Sequence, residues 1–388
     1  MAGLFNMLTS GLAGGSGRPG AGRCPIGVDF GVRTIRMLQL QNSRDERFAV
    51  SAAAMRAVPE SLASEGPQRV EALGKLLSDM LAGGGFSGRQ VVSSLAATAL
   101  QYKNLRIAKM PASDMQSAVE WEAADRLQMD AKNIQVQFFD AGDVTQGEQD
   151  RREIILMGVS KKVVREHLDV LLAANLRPLA IECVPSALAR FASHAQEAED
   201  SDAAAQVVLD VGYSSTKVMI VRHGRVLFFK LIDIGGRTLD HAVSERLDLS
   251  PAEAADLRHR LVSERAGANE EPQVDSRRQD VQRAVFEAIR ATVAKLGPEI
   301  GLCLRYYSVT FRGRRPEGAI LVGGEARDPQ LARLLSEQAG VHIEPARPPA
   351  WLDTGDTVVG TDTVGAWAVA AGLSMRREMR QARKRGAA

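Results

Sequence analysis

Apolar residues in this chain fall into two patterns: short unbroken runs that suit buried strands, and longer stretches with helical spacing. From Ile26 to Met55 three strand-like runs follow one another through hairpin turns. The first ends in Val28-Asp29-Phe30-Gly31, the second is Ile35–Leu40 and the third Arg47–Ala53. The same succession returns 181 positions later, with Leu209-Asp210-Val211-Gly212, then Lys217–Val221, then Val226–Ile232. Between the copies, Val70–Leu81 places Val70, Leu73, Leu76, Leu77, Met80 and Leu81 at helical spacing and stops at Gly83-Gly84-Gly85. Val91–Leu95 reads as a further strand.

A smaller unit interrupts this order. Leu105–Lys109 suits a strand, Pro111 and Ser113 open a helix to about Leu127, and Ile134–Asp140 alternates as a strand does. Asp143–Arg152 is polar enough for a turn, Glu153–Ser160 is the returning strand, and Lys161–Ala174 is an amphipathic helix. Together they form a compact α+β module. Leu179–Val184 resumes the main sheet, followed by a helix near Pro185–Ala195 and an acidic, alanine-rich linker at Glu197–Ala205. In the second half, helices are expected over Leu239–Leu247, Pro251–Val262, Asp280–Leu296 and Pro298–Tyr307, with a charged loop over Ser263–Ser276. Ala319–Val322 is a strand running into Gly323-Gly324, Pro329–Ala339 is a helix, Val341–Ile343 is a short strand, and Thr363–Leu373 is a small-residue helix. The resulting division is a tail over 1–25, a first lobe over 26–100, an insertion over 101–177 and a return with linker over 178–205. A second lobe over 206–358, a closing helix over 359–375 and a basic tail over 376–388 complete it.

An aspartate at a strand end, with glycine two residues on, suits a tight hairpin whose backbone N–H groups face an anion. The carboxylate can hold a magnesium ion that keeps its waters. One Asp-x-Gly is an ordinary hairpin; two in matched strand–turn–strand settings would grip a polyphosphate from both sides. Gly323-Gly324, between a strand and a helix, lets the backbone approach a flat or anionic ligand.

Composition narrows the classes. The chain has 388 residues, 45% hydrophobic and 25% charged, as soluble globular proteins do. A net charge of +2 and only 5% aromatic residues give no platform for nucleic acid. Three scattered cysteines (Cys24, Cys183, Cys303) suit reduced thiols in the cytoplasm, and the six histidines form no metal-binding pair. No apolar run reaches the ~18 residues that cross a bilayer, and Met1–Leu12 lacks the features of a signal peptide. Leu4, Phe5 and Leu8 either touch a membrane or partner or belong to a disordered tail with the glycine-rich Gly11–Gly22. Met375–Arg385 carries Arg376, Arg377, Arg380, Arg383, Lys384 and Arg385 against a single acid. It is either a contact for an anionic leaflet or a solvated helix end.

Asp29-x-Gly31, Asp210-x-Gly212 and Gly323-Gly324 stand in the order of the first phosphate loop, second phosphate loop and adenosine motif of the actin-like ATPase superfamily. Within it the chain resembles the PilM family of type IV pilus assembly proteins, related to the division protein FtsA, over roughly Ile26 to Leu373. Supporting segments are Gly3-Leu4-Phe5, Ala118-Val119-Glu120-Trp121-Glu122-Ala123, and Val226-Leu227-Phe228-Phe229 leading to Ile234-Gly235-Gly236. The resemblance implies an α/β fold: an actin-like (ribonuclease H-like) duplicated two-lobe ATPase fold with an inserted FtsA/PilM-type α+β subdomain. It implies ATP and Mg as ligands, with Asp29 and Asp210 holding the metal through water. Gly31, Thr34, Gly212, Ser214 and Thr216 would shape the phosphate hairpins, Gly235 and Gly236 would follow them, and Gly323 and Gly324 would approach base and sugar. Arg36 stands where the family places a phosphate-reaching lysine, and is otherwise an outward-facing strand residue. Arg258 stands for a lysine near the nucleoside, while Ala255 replaces a glutamate and Val32 a small hydroxyl residue. Glu182 either positions a water for hydrolysis or is a structural strand-end residue.

The function implied is a nucleotide-binding component of the type IV pilus assembly platform, peripheral on the cytoplasmic face of the inner membrane. Its partner would be the N-terminal cytoplasmic tail of a PilN-like single-pass membrane protein, with other platform and motor proteins and self-association as further contacts. The alternatives are a nucleotide-free scaffold of the same fold, an FtsA-like division protein, and a sugar-kinase-like enzyme.

Overall fold

The computed structural model describes residues 22–42, 47–59, 62, 66–194, 205–267, 276–313, 315–361 and 363–376. Residues 1–21 of the expected N-terminal tail, most of the acidic linker and the basic segment beyond Arg376 lie outside the described residues, and the expected tail end at 22–25 is instead the start of the first strand. The chain opens with β1 (Gly22–Phe30), β2 (Thr34–Asn42) and β3 (Phe48–Ala57), an antiparallel meander. Helix α1 (Pro67–Gly83) leads to β4 (Gln90–Ser94), parallel to β1, and β8 (Arg177–Glu182) joins parallel to β4. The sheet order is therefore β3-β2-β1-β4-β8, with the two-residue β14 (Leu352–Asp353) added beside β3. Helix α4 (Val184–Ser193) follows β8.

The second lobe repeats this plan. β9 (Gln206–Val211), β10 (Thr216–Arg222) and β11 (Arg225–Ile232) form the meander, and β12 (Gly318–Val322) and β13 (His342–Pro345) run parallel beside β9 in the order β11-β10-β9-β12-β13. Both central strands are covered on both faces, which is why their apolar runs are continuous rather than alternating. Helices α5 (Gly236–Leu247), α6 (Pro251–Gly267), α7 (Ser276–Phe311) and α8 (Pro329–Ala339) cover the second sheet. Asp328 caps α8, accepting the Gln330 N–H at 2.9 Å, with Pro329 opening its first turn.

The insertion carries its own three-stranded sheet, β5 (Gln101–Ala108), β7 (Gln149–Ser160) and β6 (Ile134–Gln146), ordered β5-β7-β6. Helix α2 (Ala112–Leu127) lies on it, and α3 (Lys161–Ala173) follows, capped by the Ser160 hydroxyl. Three sequence expectations are corrected. β5 begins four residues before Leu105, at Gln101. The segment expected as a polar turn, Asp143–Arg152, is mostly ladder, because Arg152 bridges Asp143 at 3.0 Å and Asp140 across the strands. The two helices expected around Pro298 are one helix. Its buried stripe of Val285, Ile289, Val293, Leu296, Ile300 and Leu304 packs without interruption, which outweighs the few kcal/mol a mid-helix proline costs.

A short helix α9 (Val358–Thr361), a 3₁₀ turn (Val364–Trp367) and α10 (Ala368–Ser374) return the chain to the first lobe. Here α10 packs on β1 and α4 with almost no separation. A Cβ on Gly27 would lie 2.8 Å from the Ser374 nitrogen and still nearer the Ala370 carbonyl. Only glycine permits that approach.

Candidate functional site

Each lobe presents a hairpin built the same way. Gly31 N–H donates to the Thr34 carbonyl at 3.0 Å, and Gly212 N–H donates to the Ser215 carbonyl at 3.0 Å. Across the ladder Asp29 faces Arg36, and Asp210 faces Lys217. The two hairpins open onto one cavity between the lobes. Asp29, Gly31, Thr34 and Arg36 line it from the first lobe, and Asp210, Gly212 and Ser214 from the second. Gly323 and Gly324 close one side. Gly323 adopts φ +93° directly over Asp210, where a side chain would meet the Val211 carbonyl at 2.5 Å, so both conformation and space demand glycine.

The other sequence-selected residues stand behind or away from this wall. Thr216 is fully buried, its hydroxyl donating to the Ile234 carbonyl at 2.7 Å. Gly235 and Gly236 sit beneath the second hairpin: Gly236 N–H donates to the Gly212 carbonyl at 2.9 Å and Arg237 N–H to that of Tyr213 at 2.7 Å. The first turn of α5 thus spends its N–H groups on the hairpin itself. Arg258 is buried between Asp240 and Glu325, reaching the latter at 2.6 Å, and braces the glycine turn from behind. Glu182 lies outside the cavity, with one carboxylate oxygen bridged by Arg190 and the other by Arg376. A carboxylate held by two guanidinium groups serves as their counter-ion and has no reach to a water in the cleft.

Several lining residues escaped the sequence reading. Lys217 carries its ammonium 3.1 Å from Asp210. The signal was present: Lys217 follows Asp210 by the same seven positions that separate Arg36 from Asp29. Arg33 crosses the cavity mouth, 3.6 Å from Asp240 and 5.2 Å above the Tyr213 ring. Ala96, Ala97 and Thr98, after β4, occupy the place in the first lobe that Gly323-Gly324 holds after β12 in the second. Gly365 contributes its carbonyl to the Gly323 N–H at 3.0 Å, tying the glycine turn to the closing segment.

Electrostatically the wall carries four cations (Arg33, Arg36, Lys217, Arg327) against three carboxylates (Asp29, Asp210, Glu325). Burial pushes the Asp29 carboxyl up; Arg36 opposes this, Asp210 adds to it, and Lys217 and the Ser94 hydroxyl oppose it again. Burial lowers the pKa of His259 at the rim, with Glu325 opposing and Arg33 and Arg258 adding to the shift. Ser215 Oγ is buried at the wall and makes no hydrogen bond among the described residues. An excess of cations, a bare glycine turn and an unsatisfied hydroxyl suit an anionic ligand with a flat end. They suit a protein-held magnesium ion less well: both carboxylates already face cations, and no group of three or more His, Cys, Asp or Glu converges on a metal site among the described residues.

A family model described as type IV pilus assembly protein PilM matches residues 27–378. The chain belongs to the PilM family. Among solved structures, one described as a PilM–PilN type IV pilus biogenesis complex aligns with a TM-score of 0.73 and 23% identity, over 91% of this chain and 98% of that one. The ethanolamine utilization protein EutJ from Carboxydothermus hydrogenoformans aligns with a TM-score of 0.52 and 13% identity, over 97% of each chain. The fold of this PilM-family chain is actin-like, two β-meander lobes related by duplication, as the hairpin motifs imply. No helix among the described residues is long and apolar enough to cross a membrane.

Proposed function

We propose that this PilM-family protein binds ATP between its lobes and uses that ligand to set their relative orientation within the type IV pilus assembly platform. The observation that carries the reading is the pair of hairpins with identical internal hydrogen bonds facing one cavity. In this arrangement the hairpin turns and Ser215 contact the phosphates, and the glycine turn lies against the nucleoside. Asp29 and Asp210 orient the cations that face them across the ladder, Arg36 and Lys217, toward the phosphates. Arg33 already spans the mouth to Asp240, so a ligand that favours one lobe spacing over another shifts the population of that contact.

The partner in this reading is the short cytoplasmic segment of a PilN-like single-pass membrane protein, which keeps the chain peripheral on the inner membrane. Support comes from the solved PilM–PilN relative and from a second, apolar cleft between the inserted sheet and the first-lobe sheet. Leu95, Leu100, Met157, Val159 and Ile181 line it, with Gln135 and Gln137 offering polar anchors. With these five apolar side chains buried, the pocket has room for one anchoring side chain of such a peptide rather than for its backbone.

Calorimetric titration with ATP tests the nucleotide reading. Asp29→Ala and Asp210→Ala should each weaken binding by about tenfold or more. Unchanged affinity in both variants overturns the cleft assignment. Titration with a synthetic peptide of the PilN-like N-terminus tests the partner, with Gln135→Ala and Gln137→Ala expected to weaken binding and Asp210→Ala to leave it intact.

A further inference from the structure

The two halves of the cleft repeat the cation as well as the carboxylate. Lys217 Nζ lies 3.1 Å from Asp210 Oδ2, with the lysine side chain 12% exposed and the aspartate side chain 6%. The ammonium also lies over the hairpin turn, 2.9 Å from where a Cβ would stand on Gly212. Arg36, opposite Asp29, is 8% exposed and reaches across to the second lobe, its Nη2 3.8 Å from the Cβ position of Gly324. Arg36, Asp210 and Lys217 all lie within electrostatic range of Asp29.

A triphosphate entering a low-dielectric cleft needs counter-charge, and a hydrated magnesium ion leaning on acidic side chains is one way to supply it. Here the position beside Asp210 is taken by an ammonium fixed to the chain. A lysine ammonium is a compact point charge with three donors, so it can keep Asp210 as one partner and donate to phosphate oxygens with the others. Arg36 offers a planar fork from the opposite lobe. Val32, at the first turn, supplies no hydroxyl, which leaves more of the phosphate contact to these two cations.

We propose that Lys217 and Arg36 together take over the metal's part in this chain, so that ATP is held by two protein-borne cations and its affinity persists without magnesium. The inference rests on the proposed nucleotide cleft and specifies which charges do the holding. It also assigns Lys217 as a ligand-binding residue rather than a buried counter-ion of Asp210.

The test is calorimetric titration of the full chain with ATP, once in excess magnesium and once in excess EDTA. The wild-type dissociation constant should differ by less than about tenfold between the two conditions, and Lys217→Arg should behave the same way. Lys217→Gln should lose more than about tenfold in EDTA relative to magnesium, its binding having become metal-dependent. A wild-type loss beyond about tenfold in EDTA overturns the proposal while leaving the nucleotide cleft standing. Absence of ATP binding in both conditions overturns the cleft itself, and the proposal with it. Should Lys217→Gln fail to fold, the wild-type comparison decides alone.

Discussion

His167 is a buried imidazole whose behaviour follows from its neighbours. It stacks edge-on against Phe30, with ring centroids 4.5 Å apart, and its Nε2 lies 2.9 Å from the Ser93 hydroxyl. Burial, aided by the charge of Arg69, pushes its pKa down to about 3. The unfolded chain takes up that proton near pH 6.5 and the folded chain does not until about pH 3, so the unfolded state binds the extra proton throughout this window. Stability contributed by His167 is therefore complete above pH 6.5 and falls as the pH drops, by at most about 1.4 kcal/mol per unit. Urea unfolding at pH 7 and pH 5 should show a loss of about 2 kcal/mol in the wild type that His167→Gln, which keeps a partner for Ser93, does not share. Equal losses in both proteins would place the acid sensitivity elsewhere. Lys217 makes a different residue-scale point. It was legible as the seven-residue echo of Arg36, but its type gave no clue, because a lysine on an otherwise apolar strand is ordinarily a solvated one.

Among the elements, the closing helix α10 and the long helix α7 carry the clearest expectations. Gly27 and Gly372 let α10 settle onto β1 and α4 at backbone contact distance, since a Cβ on Gly372 would overlap the Ala187 backbone. Gly27→Ala should destabilise the protein by about 2 kcal/mol through forced separation, seen as a lower midpoint in denaturant. Pro298 acts in the opposite sense. It stands exposed inside a continuous helix, so Pro298→Ala restores a hydrogen-bond donor and should stabilise by about 1–3 kcal/mol. A destabilised Pro298→Ala variant would mean that the helix depends on a bend there. The sequence suggested a break at this proline because local propensity disfavours it. The packing stripe on either side outweighed that preference. Similar reasoning accounts for β6 and β7, whose polar ends read as a turn in the sequence: a two-stranded ribbon needs no apolar face when opposite charges pair across it.

For the whole molecule, the inserted module joins the lobes at a second place, away from the cavity between the hairpins. Glu153 on β7 is 1% exposed and accepts from Arg106 at 2.9 Å and from Tyr306 on α7 at 2.5 Å, while Arg106 also donates to Thr310 at 3.1 Å. Tyr102 packs at a tilt against Phe229 of β11 with centroids 4.5 Å apart, and Arg225 donates to the Asp140 carbonyl at 3.1 Å. Any change in lobe spacing must therefore strain or carry along the module that lines the apolar cleft. Glu153→Ala leaves Arg106 and Tyr306 without their buried acceptor and should cost on the order of 3 kcal/mol. Hydrogen exchange should show the loss concentrated in β5, β7 and the facing end of α7. Uniformly faster exchange across both lobes would instead make Glu153 a general core residue with no bridging role.

The amino-acid order alone determined the duplication, the two acidic turns, the glycine turn and the family. These follow from local rules, strand runs closed by Asp-x-Gly and helices stopped by glycine, that need no knowledge of the partner surface. Which of these residues meet is set by the packing of the two lobes. It gathered Asp29, Gly31, Thr34, Arg36, Asp210, Gly212, Ser214, Gly323 and Gly324 around one cavity, kept Thr216, Gly235, Gly236 and Arg258 behind its wall, and gave Glu182 to two arginines elsewhere. Proximity across two lobes depends on how sheets stack and helices cover them, and one residue's type and spacing carry no record of the distant chain that comes to face it.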